Sequence, residues 1–208
     1  MKSALVYTLV AEGFTEYTFI PIYLKRVAAE KTLQIKRSSL DLLKKQPSKS
    51  KVLVEAEDLC LKALRDENQA FCIVGVDLDG PDQTDEQQEH VKECDKLIKA
   101  LGSAYKPNTY KARIAIYVPI QAIEHWLIYQ AYHSKLIDKP VANSIEKESQ
   151  DKLRKLLYGS KDDRRQMQSI AQTIAEKADF NELAKQSRSF AHFHNQIIAF
   201  LEQYSKQS

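Results

Sequence analysis

The feature that most constrains the fold of this chain is the stretch Phe71–Asp79, with the sequence FCIVGVDLD. No polar residue alternates with the apolar ones before Asp77, and Asp77 and Asp79 stand at the C-terminal end of the stretch. A strand of this kind is covered on both faces, which is typical of parallel sheets in α/β folds. The two aspartates are two residues apart, so an extended backbone points both side chains the same way. Because open parallel sheets bind ligands beyond the carboxyl ends of their strands, we expect a site here.

The remaining pattern predicts a doubly wound α/β sheet, because strands and helices alternate as far as residue 133. The predicted strands are Ser3–Ala11, Thr32–Lys36, the Phe71–Asp79 stretch and Ala112–Val118. The predicted helices of this part are Glu16–Glu30, Val52–Asn68, Asp85–Leu101 and Ile120–His133. Only helices are predicted beyond it, at Ser144–Leu157, Arg164–Lys177 and Ser189–Tyr204. We therefore expect one domain over residues 1–208, with an α/β core over 1–134 and a helical C-terminal part over 135–208 packed on it.

Some local details are also predicted. Thr15 is a candidate N-cap of the first helix, and Pro119 is expected to open the fourth. Trp126 is expected in the core rather than on a base-stacking surface. The cysteines have no metal-type spacing and fall at apolar positions, so they are predicted to be small core residues in a reducing cytosol: Cys60, Cys72 and Cys94.

Charge is unevenly distributed, although the net charge is only +3. Lys36–Lys51 carries a net +5, and Asp77–Lys96 carries a net −6. The first segment should attract anions and the second cations, and two solvated surfaces are the alternative. Within the basic segment, Lys44, Lys45 and Lys49 are the candidate contacts to nucleic-acid phosphates, which they would bind without reading base sequence.

Several classes of protein find no support in the sequence. No apolar run reaches 18 residues, so no membrane span is expected. The first residues turn acidic too early for a signal peptide, and we expect a cytoplasmic protein. No P-loop, GxSxG or GxGxxG motif occurs. His125 and His133 could share a helix face, but no cysteine or acid completes a zinc site with them.

Acidic residues follow two of the predicted strands. Glu12 comes just after the first strand, and Asp77 and Asp79 end the Phe71–Asp79 stretch. If these strands are parallel neighbours, the three carboxylates converge on one edge of the sheet, where they form a site for Mg²⁺ or Mn²⁺. Glu16 is either a further ligand or a partner of the ligands, and an acid that stabilises the helix N-terminus is the alternative.

Two further charged groups have open roles. Glu124 lies on the fourth predicted helix beside apolar residues, and a buried acid needs a partner. It is either another metal ligand or the acceptor of a structural hydrogen bond from a backbone group or a basic residue. Arg164 and Arg165, with Lys161, begin a later helix and could meet phosphates, although a solvated face is favoured.

Three short motifs occur in a suggestive order. They are EGFTE at Glu12–Glu16, VDLD at Val76–Asp79, and a P-x-x-x-x-E-x-W pattern over Pro119–Trp126. In this order the chain resembles the Toprim-like proteins, and most closely a bacterial group related to the Toprim domain of the overcoming-lysogenization-defect nucleases. Ser189–Phe193 also resembles the closing helix of that group.

The resemblance implies a Toprim fold, a parallel sheet flanked by helices on both faces. It also implies that Glu12 acts as general acid/base or metal ligand, while Asp77 and Asp79 hold Mg²⁺ during phosphodiester chemistry. The expected function is Mg²⁺-dependent phosphodiester hydrolysis on DNA or RNA, in phage or mobile-element defence. The alternatives are a non-catalytic or nucleotide-binding partner subunit of a separately encoded ATPase, and hydrolysis of a small phosphorylated metabolite.

Overall fold

A four-stranded parallel sheet forms the centre of the structure, a computed structural model that describes residues 4–42, 47–66, 68–81, 88–141, 146–159 and 163–207. The strands are β1 (Leu5–Val10), β2 (Ile35–Arg37), β3 (Gln69–Gly75) and β4 (Ile114–Tyr117). Their order in the sheet is β2-β1-β3-β4, and every neighbouring pair is parallel. β1 and β3 therefore lie side by side in the middle, with Val10 opposite Val74. The residues that follow these two strands therefore lie close together, at the carboxyl ends of the strands.

The described residues form eight α-helices: α1 (Glu16–Glu30), α2 (Lys49–Leu64), α3 (Gln88–Ala100), α4 (Glu124–Gln130), α5 (Gln150–Tyr158), α6 (Arg164–Lys177), α7 (Phe180–Gln186) and α8 (Arg188–Gln207). The side chains of β3 alternate between two apolar cores. Cys72 and Val74 face α2 and α3, whereas Phe71 and Ile73 face α1 and the C-terminal helices. Both faces of the sheet are covered, so the predicted α/β fold is confirmed.

The C-terminal helices pack on the α1 face through an aromatic cluster. Phe190 and Phe193 of α8 are fully buried against Tyr23 of α1 and Trp126 of α4. The Trp126 indole Nε1 donates a hydrogen bond to Ser189 Oγ at 3.0 Å. Trp126 is thus a core residue, as predicted, and the last helix packs on the α/β core.

Most predicted elements are present. α1 and α6 have the predicted limits, and the strand predicted at Thr32–Lys36 forms as β2, Ile35–Arg37. The three cysteines are buried and free, as expected. None of the helices within the described ranges is long and apolar enough to cross a membrane.

Other predictions were wrong at element boundaries. α4 begins at Glu124, four residues later than expected, because the chain after β4 stays paired with the chain after β3: the Pro119 carbonyl accepts from Leu78 N at 3.0 Å. Pro119 therefore does not open the helix. Thr15 precedes α1, but its side chain makes no capping hydrogen bond. α7, a seven-residue helix, was not predicted.

Candidate metal centre

The ends of β1 and β3 bring two predicted acids into direct contact. Glu12 lies two residues beyond β1, and Asp77 lies two residues beyond β3. Since these strands are parallel neighbours, the acids meet despite their separation of 65 residues: Asp77 N donates a hydrogen bond to Glu12 Oε2 at 3.1 Å. This bond fixes the carboxylate of Glu12 against the end of β3.

Glu16 joins them from the first turn of α1. Carboxylate oxygens of Glu12, Glu16 and Asp77 all lie within 4.8 Å of one another, and we call these three residues the acidic cluster. Gly13 makes room for the third member, because a Cβ at that position would lie 2.5 Å from Glu16 Oε2. Glu16 was predicted as a further ligand, as a partner of the ligands or as an acid that stabilises the helix N-terminus, and its carboxylate lies beside those of Glu12 and Asp77.

Burial and mutual repulsion oppose ionisation of this cluster. Burial, with smaller contributions from Asp79 and Glu124, raises the pKa of Glu12 to about 7. Burial and the charge of Glu12 raise the pKa of Glu16 to about 8. The pKa of Asp77 lies well above its usual range, again through burial first and then the charges of Glu16 and Glu12. Such a group of carboxylates is stabilised by a cation placed among them.

The Oδ1 atom of Asp77 also indicates a cation site. Asp77 is 5% exposed, and its buried Oδ1 has no hydrogen-bond partner within the described residues. A buried carboxylate oxygen without a partner is costly, and a metal ion is one of the groups that can satisfy it. Three carboxylates are also the hard oxygen ligands that Mg²⁺ and Mn²⁺ prefer. The residues present therefore fit a hard divalent cation.

The cluster lines a cavity of about 390 Å³ whose other walls come from α1, α4, α5 and α6. Two arginines contribute to those walls, Arg154 of α5 and Arg164 of α6. The Arg164 guanidinium lies 3.5 Å from the ring centroid of Phe14, another residue of the cavity wall. The cavity thus has carboxylates and guanidinium groups on its walls, which suits a metal-bound anion. Arg164 is exposed to solvent at this cavity wall, and its contact with a phosphate stays a prediction.

Glu124 has a basic partner, as one of its two predicted roles requires, and its role as a metal ligand stays a prediction. It is 3% exposed, and its Oε1 lies 3.6 Å from Arg154 Nε, so it has a basic partner. It also lines the cavity, and its charge contributes to the raised pKa values of Glu12 and Glu16. The charge of Glu124 therefore acts on the acidic cluster from outside it, and the ion pair with Arg154 links α4 to α5.

Asp79 and Lys49 form a neighbouring ion-pair group. The Asp79 side chain is 55% exposed and outside the acidic cluster; its Oδ2 accepts a hydrogen bond from Lys49 Nζ at 2.9 Å. The same amine donates to the Asp77 carbonyl at 2.6 Å and lies 3.0 Å from Glu93 Oε1. Lys49 is thus engaged with acids, and its predicted contact with nucleic acid stays a prediction. The other two members of that prediction, Lys44 and Lys45, lie outside the described residues.

The backbone at this edge is held in an unusual conformation. Asp79 and Gln121 both have φ of +61°, in the left-handed region. Asp79 N donates to the Gln121 carbonyl at 2.9 Å, and Gln121 N donates to the Gly80 carbonyl at 3.1 Å. Backbone strain of this kind is concentrated at functional sites. The pairing of these two loops holds the end of β3 in place beside the acidic cluster.

α5 begins at Gln150, six residues later than predicted. Sequence reasoning missed Arg154 because its approach to Glu124 depends on the packing of α5 against α4. The acids had a sequence signal, because Glu12 and Asp77 come shortly after strands and Glu16 follows Glu12 by four residues. A family model described as Domain of unknown function (DUF4276) matches residues 11–198. The match covers most of the chain, so the chain belongs to this family. No curated protein and no solved structure matches the chain.

Proposed function

We propose that this member of the DUF4276 family is a Mg²⁺- or Mn²⁺-dependent phosphodiesterase that acts on nucleic acid. The observation that carries the proposal is the acidic cluster: three carboxylates from two neighbouring strand ends and one helix start, within 4.8 Å of one another. The raised pKa values of its members mean that the metal-free cluster is strained by charge, which a divalent cation relieves.

Glu12, Glu16 and Asp77 would hold the ion, which when bound supplies a polarised water and neutralises charge on the phosphate. Glu124 lies close enough to raise the pKa values of Glu12 and Glu16, and it forms an ion pair with Arg154. Asp79, with Lys49 and Glu93, supports the end of β3 from outside the cavity. We therefore assign Asp79 and Lys49 positioning roles.

The guanidinium groups of Arg154 and Arg164 support a phosphate-bearing substrate. Arginine binds phosphate oxygens through paired N–H donors. Both arginines line the same cavity as the acids, so a phosphodiester there would lie near both the guanidinium groups and the metal ligands. The cavity volume of about 390 Å³ accommodates a small part of a nucleic-acid strand rather than a duplex.

The resemblance to Toprim-like proteins supports the same reaction. The glutamate after β1 and the aspartate after β3 lie on adjacent parallel strands, which the resemblance requires for a shared metal. The three buried, free cysteines suit a reducing compartment, and we place the protein in the cytoplasm. Phage or mobile-element defence, with a separately encoded ATPase as a partner, is the biological setting that we propose.

The test is a cleavage assay with purified protein. Plasmid DNA, a short single-stranded RNA, bis(p-nitrophenyl) phosphate and p-nitrophenyl phosphate are incubated with Mn²⁺ or Mg²⁺, with and without EDTA. We expect cleavage of at least one nucleic acid and of the diester, abolished by EDTA. Asp77→Asn and Glu12→Gln should lower the rate by at least about 100-fold, since loss of charge-stabilising groups costs on that order.

The matched control is Asp58→Asn, which removes an exposed acid of α2 that does not line the cavity and should retain full activity. Arg164→Gln should raise KM more than it lowers kcat if the guanidinium binds ground-state phosphate. Cleavage of the monoester alone would replace nucleic acid by a small phosphorylated metabolite as substrate. Metal binding without cleavage of any of the four substrates would overturn the catalytic proposal and favour the partner-subunit alternative.

A further inference from the structure

A second group of potential metal ligands lies between α3 and α8, beside the edge strand β4. His90 and Cys94 are four residues apart on α3 and share a helix face, and His192 of α8 meets them. One ligand atom of each residue lies within 4.8 Å of the other two. The sequence predicted core cysteines and no zinc-type site, because His192 is almost 100 residues from Cys94 and only the fold brings them together.

The spacing is close to that of bound zinc. Zinc–nitrogen bonds of about 2.0–2.1 Å and zinc–sulfur bonds of about 2.3 Å place neighbouring atoms of a tetrahedral site roughly 3.3–3.6 Å apart. His90 Nε2 lies 3.9 Å from Cys94 Sγ, and the rings of His90 and His192 lie 5.7 Å apart, centroid to centroid, at 87°. Small side-chain rotations would close the remaining gap.

Two features of the surroundings suit a metal. His90 and Cys94 are 7% and 8% exposed, whereas His192 is exposed, so the group is shielded on one side and accessible on the other. The His90 ring also donates a hydrogen bond to the backbone of Val118. Histidines that bind metal ions usually donate such a bond from their second nitrogen, which orients the ring.

We propose that His90, Cys94 and His192 form a binding site for a borderline-soft transition-metal ion, Zn²⁺ in particular, distinct from the acidic cluster. Imidazole and thiolate ligands select such ions, whereas the carboxylates of the acidic cluster select Mg²⁺ or Mn²⁺. Three protein ligands leave a fourth position for water or another ligand. A cavity of about 460 Å³ adjoins all three residues and provides the space for it.

The site would join elements that are distant in sequence. α3 packs on one face of the sheet, and α8 runs along the edge strand β4, where the Gln196 side chain exchanges two hydrogen bonds with the Ile116 backbone. A metal shared by the two helices would fasten α8 to α3 around that edge. α3 also carries Glu93, which pairs with Lys49 beside Asp79, so the helix is common to both sites.

The test is a titration of metal-free, reduced full-length protein with Co²⁺ alone, followed by displacement with Zn²⁺. We expect a thiolate-to-cobalt charge-transfer absorption that saturates at one equivalent and is lost on addition of Zn²⁺. Cys94→Ser should abolish the band. Loss of a residue that only supports a metal ligand weakens metal binding roughly 10–100-fold. His192→Gln removes a ligand itself, so it should weaken Zn²⁺ binding by more than that.

Two controls separate this site from the rest of the protein. His133→Gln removes an exposed histidine of another segment, and Asp77→Asn disables the acidic cluster; both should keep the band and the Zn²⁺ affinity. Because His192 is exposed, its variant decides the question even if Cys94→Ser fails to fold. No band in the wild type, a band that persists in Cys94→Ser, or unchanged Zn²⁺ affinity in His192→Gln would overturn the proposal.

Discussion

At the scale of single residues, the candidate metal centre is a place where the fold tolerates unfavourable charge. Glu12, Glu16 and Asp77 are held together by a backbone hydrogen bond, a helix start and the absence of a side chain at Gly13. Each carboxyl has a raised pKa because it is buried beside other acids. The arrangement reduces the stability of the metal-free protein and supplies binding energy for a cation.

Gly13→Ala tests whether this close approach matters for metal binding. The new Cβ would lie 2.5 Å from Glu16 Oε2, and the flexible carboxylate is the group that moves away. We expect Mn²⁺ affinity to fall about tenfold or more, a typical cost of misplacing a ligand, with little change in the melting temperature. Gly80→Ala is the control from the same edge of the sheet, since its Cβ would meet no atom within 4 Å. Equal Mn²⁺ affinities of the two variants in isothermal titration would contradict the account.

The pH dependence of stability tests the electrostatics. The pKa of Glu12 rises from 4.5 in the unfolded chain to about 7, and that of Glu16 to about 8. Between these values the folded state binds more protons than the unfolded state, so the free energy of unfolding falls as pH rises, by at most about 1.4 kcal/mol per pH unit and group.

Glu12→Gln removes one of these groups. In urea melts with EDTA, the free energy of unfolding of the variant minus that of the wild type should therefore increase from about pH 5 to about pH 8. The sign follows because only the wild type loses stability as Glu12 ionises. A difference that is independent of pH, or that decreases, would show that Glu12 is not a strained carboxyl.

At the scale of elements, the sequence predicted what depends on local pattern. α1 and α6 each bury one face against the core, and their limits were predicted correctly. α4 was predicted too early, because the pairing of the loops after β3 and β4 outweighs the helix-opening preference of Pro119. α7 has seven residues, too few for a periodicity to emerge. Boundaries set by tertiary hydrogen bonds are not visible in a local pattern.

Ser189→Ala tests the docking of α8. The Trp126 indole N–H would lose its acceptor in the core, and a buried donor left unsatisfied costs about 1–3 kcal/mol. Ser205→Ala, on the exposed part of the same helix, should change the free energy of unfolding by less than about 0.5 kcal/mol. Chemical denaturation of both variants compares the two; equal stabilities would mean that the indole hydrogen bond does not fasten α8 to α4.

At the scale of the whole molecule, one parallel sheet creates the candidate site. Glu12 meets Asp77 because β1 and β3 are neighbours in the order β2-β1-β3-β4. The sequence predicted this contact only on the condition that the two strands are parallel neighbours, and it did not predict the strand order. Arg154 and the His90, Cys94 and His192 group belong to contacts between distant helices, so no sequence signal could have placed them. Acids at strand ends are predictable, whereas their partners from other layers are not.

The central claim is tested most directly by metal-dependent thermal stability. Mg²⁺ or Mn²⁺ at about 100 times its dissociation constant should stabilise the wild type by roughly 2.7 kcal/mol, an increase in melting temperature of about 5–10 °C. Asp77→Asn and Glu12→Gln should be as stable as the wild type or more stable without metal, because each removes charge from the acidic cluster, and both should gain much less from the ion. Asp58→Asn should respond like the wild type. If both cluster variants instead melt well below the wild type without metal, and divalent ions stabilise all four proteins equally, the carboxylates are structural and the proposed metal centre is wrong.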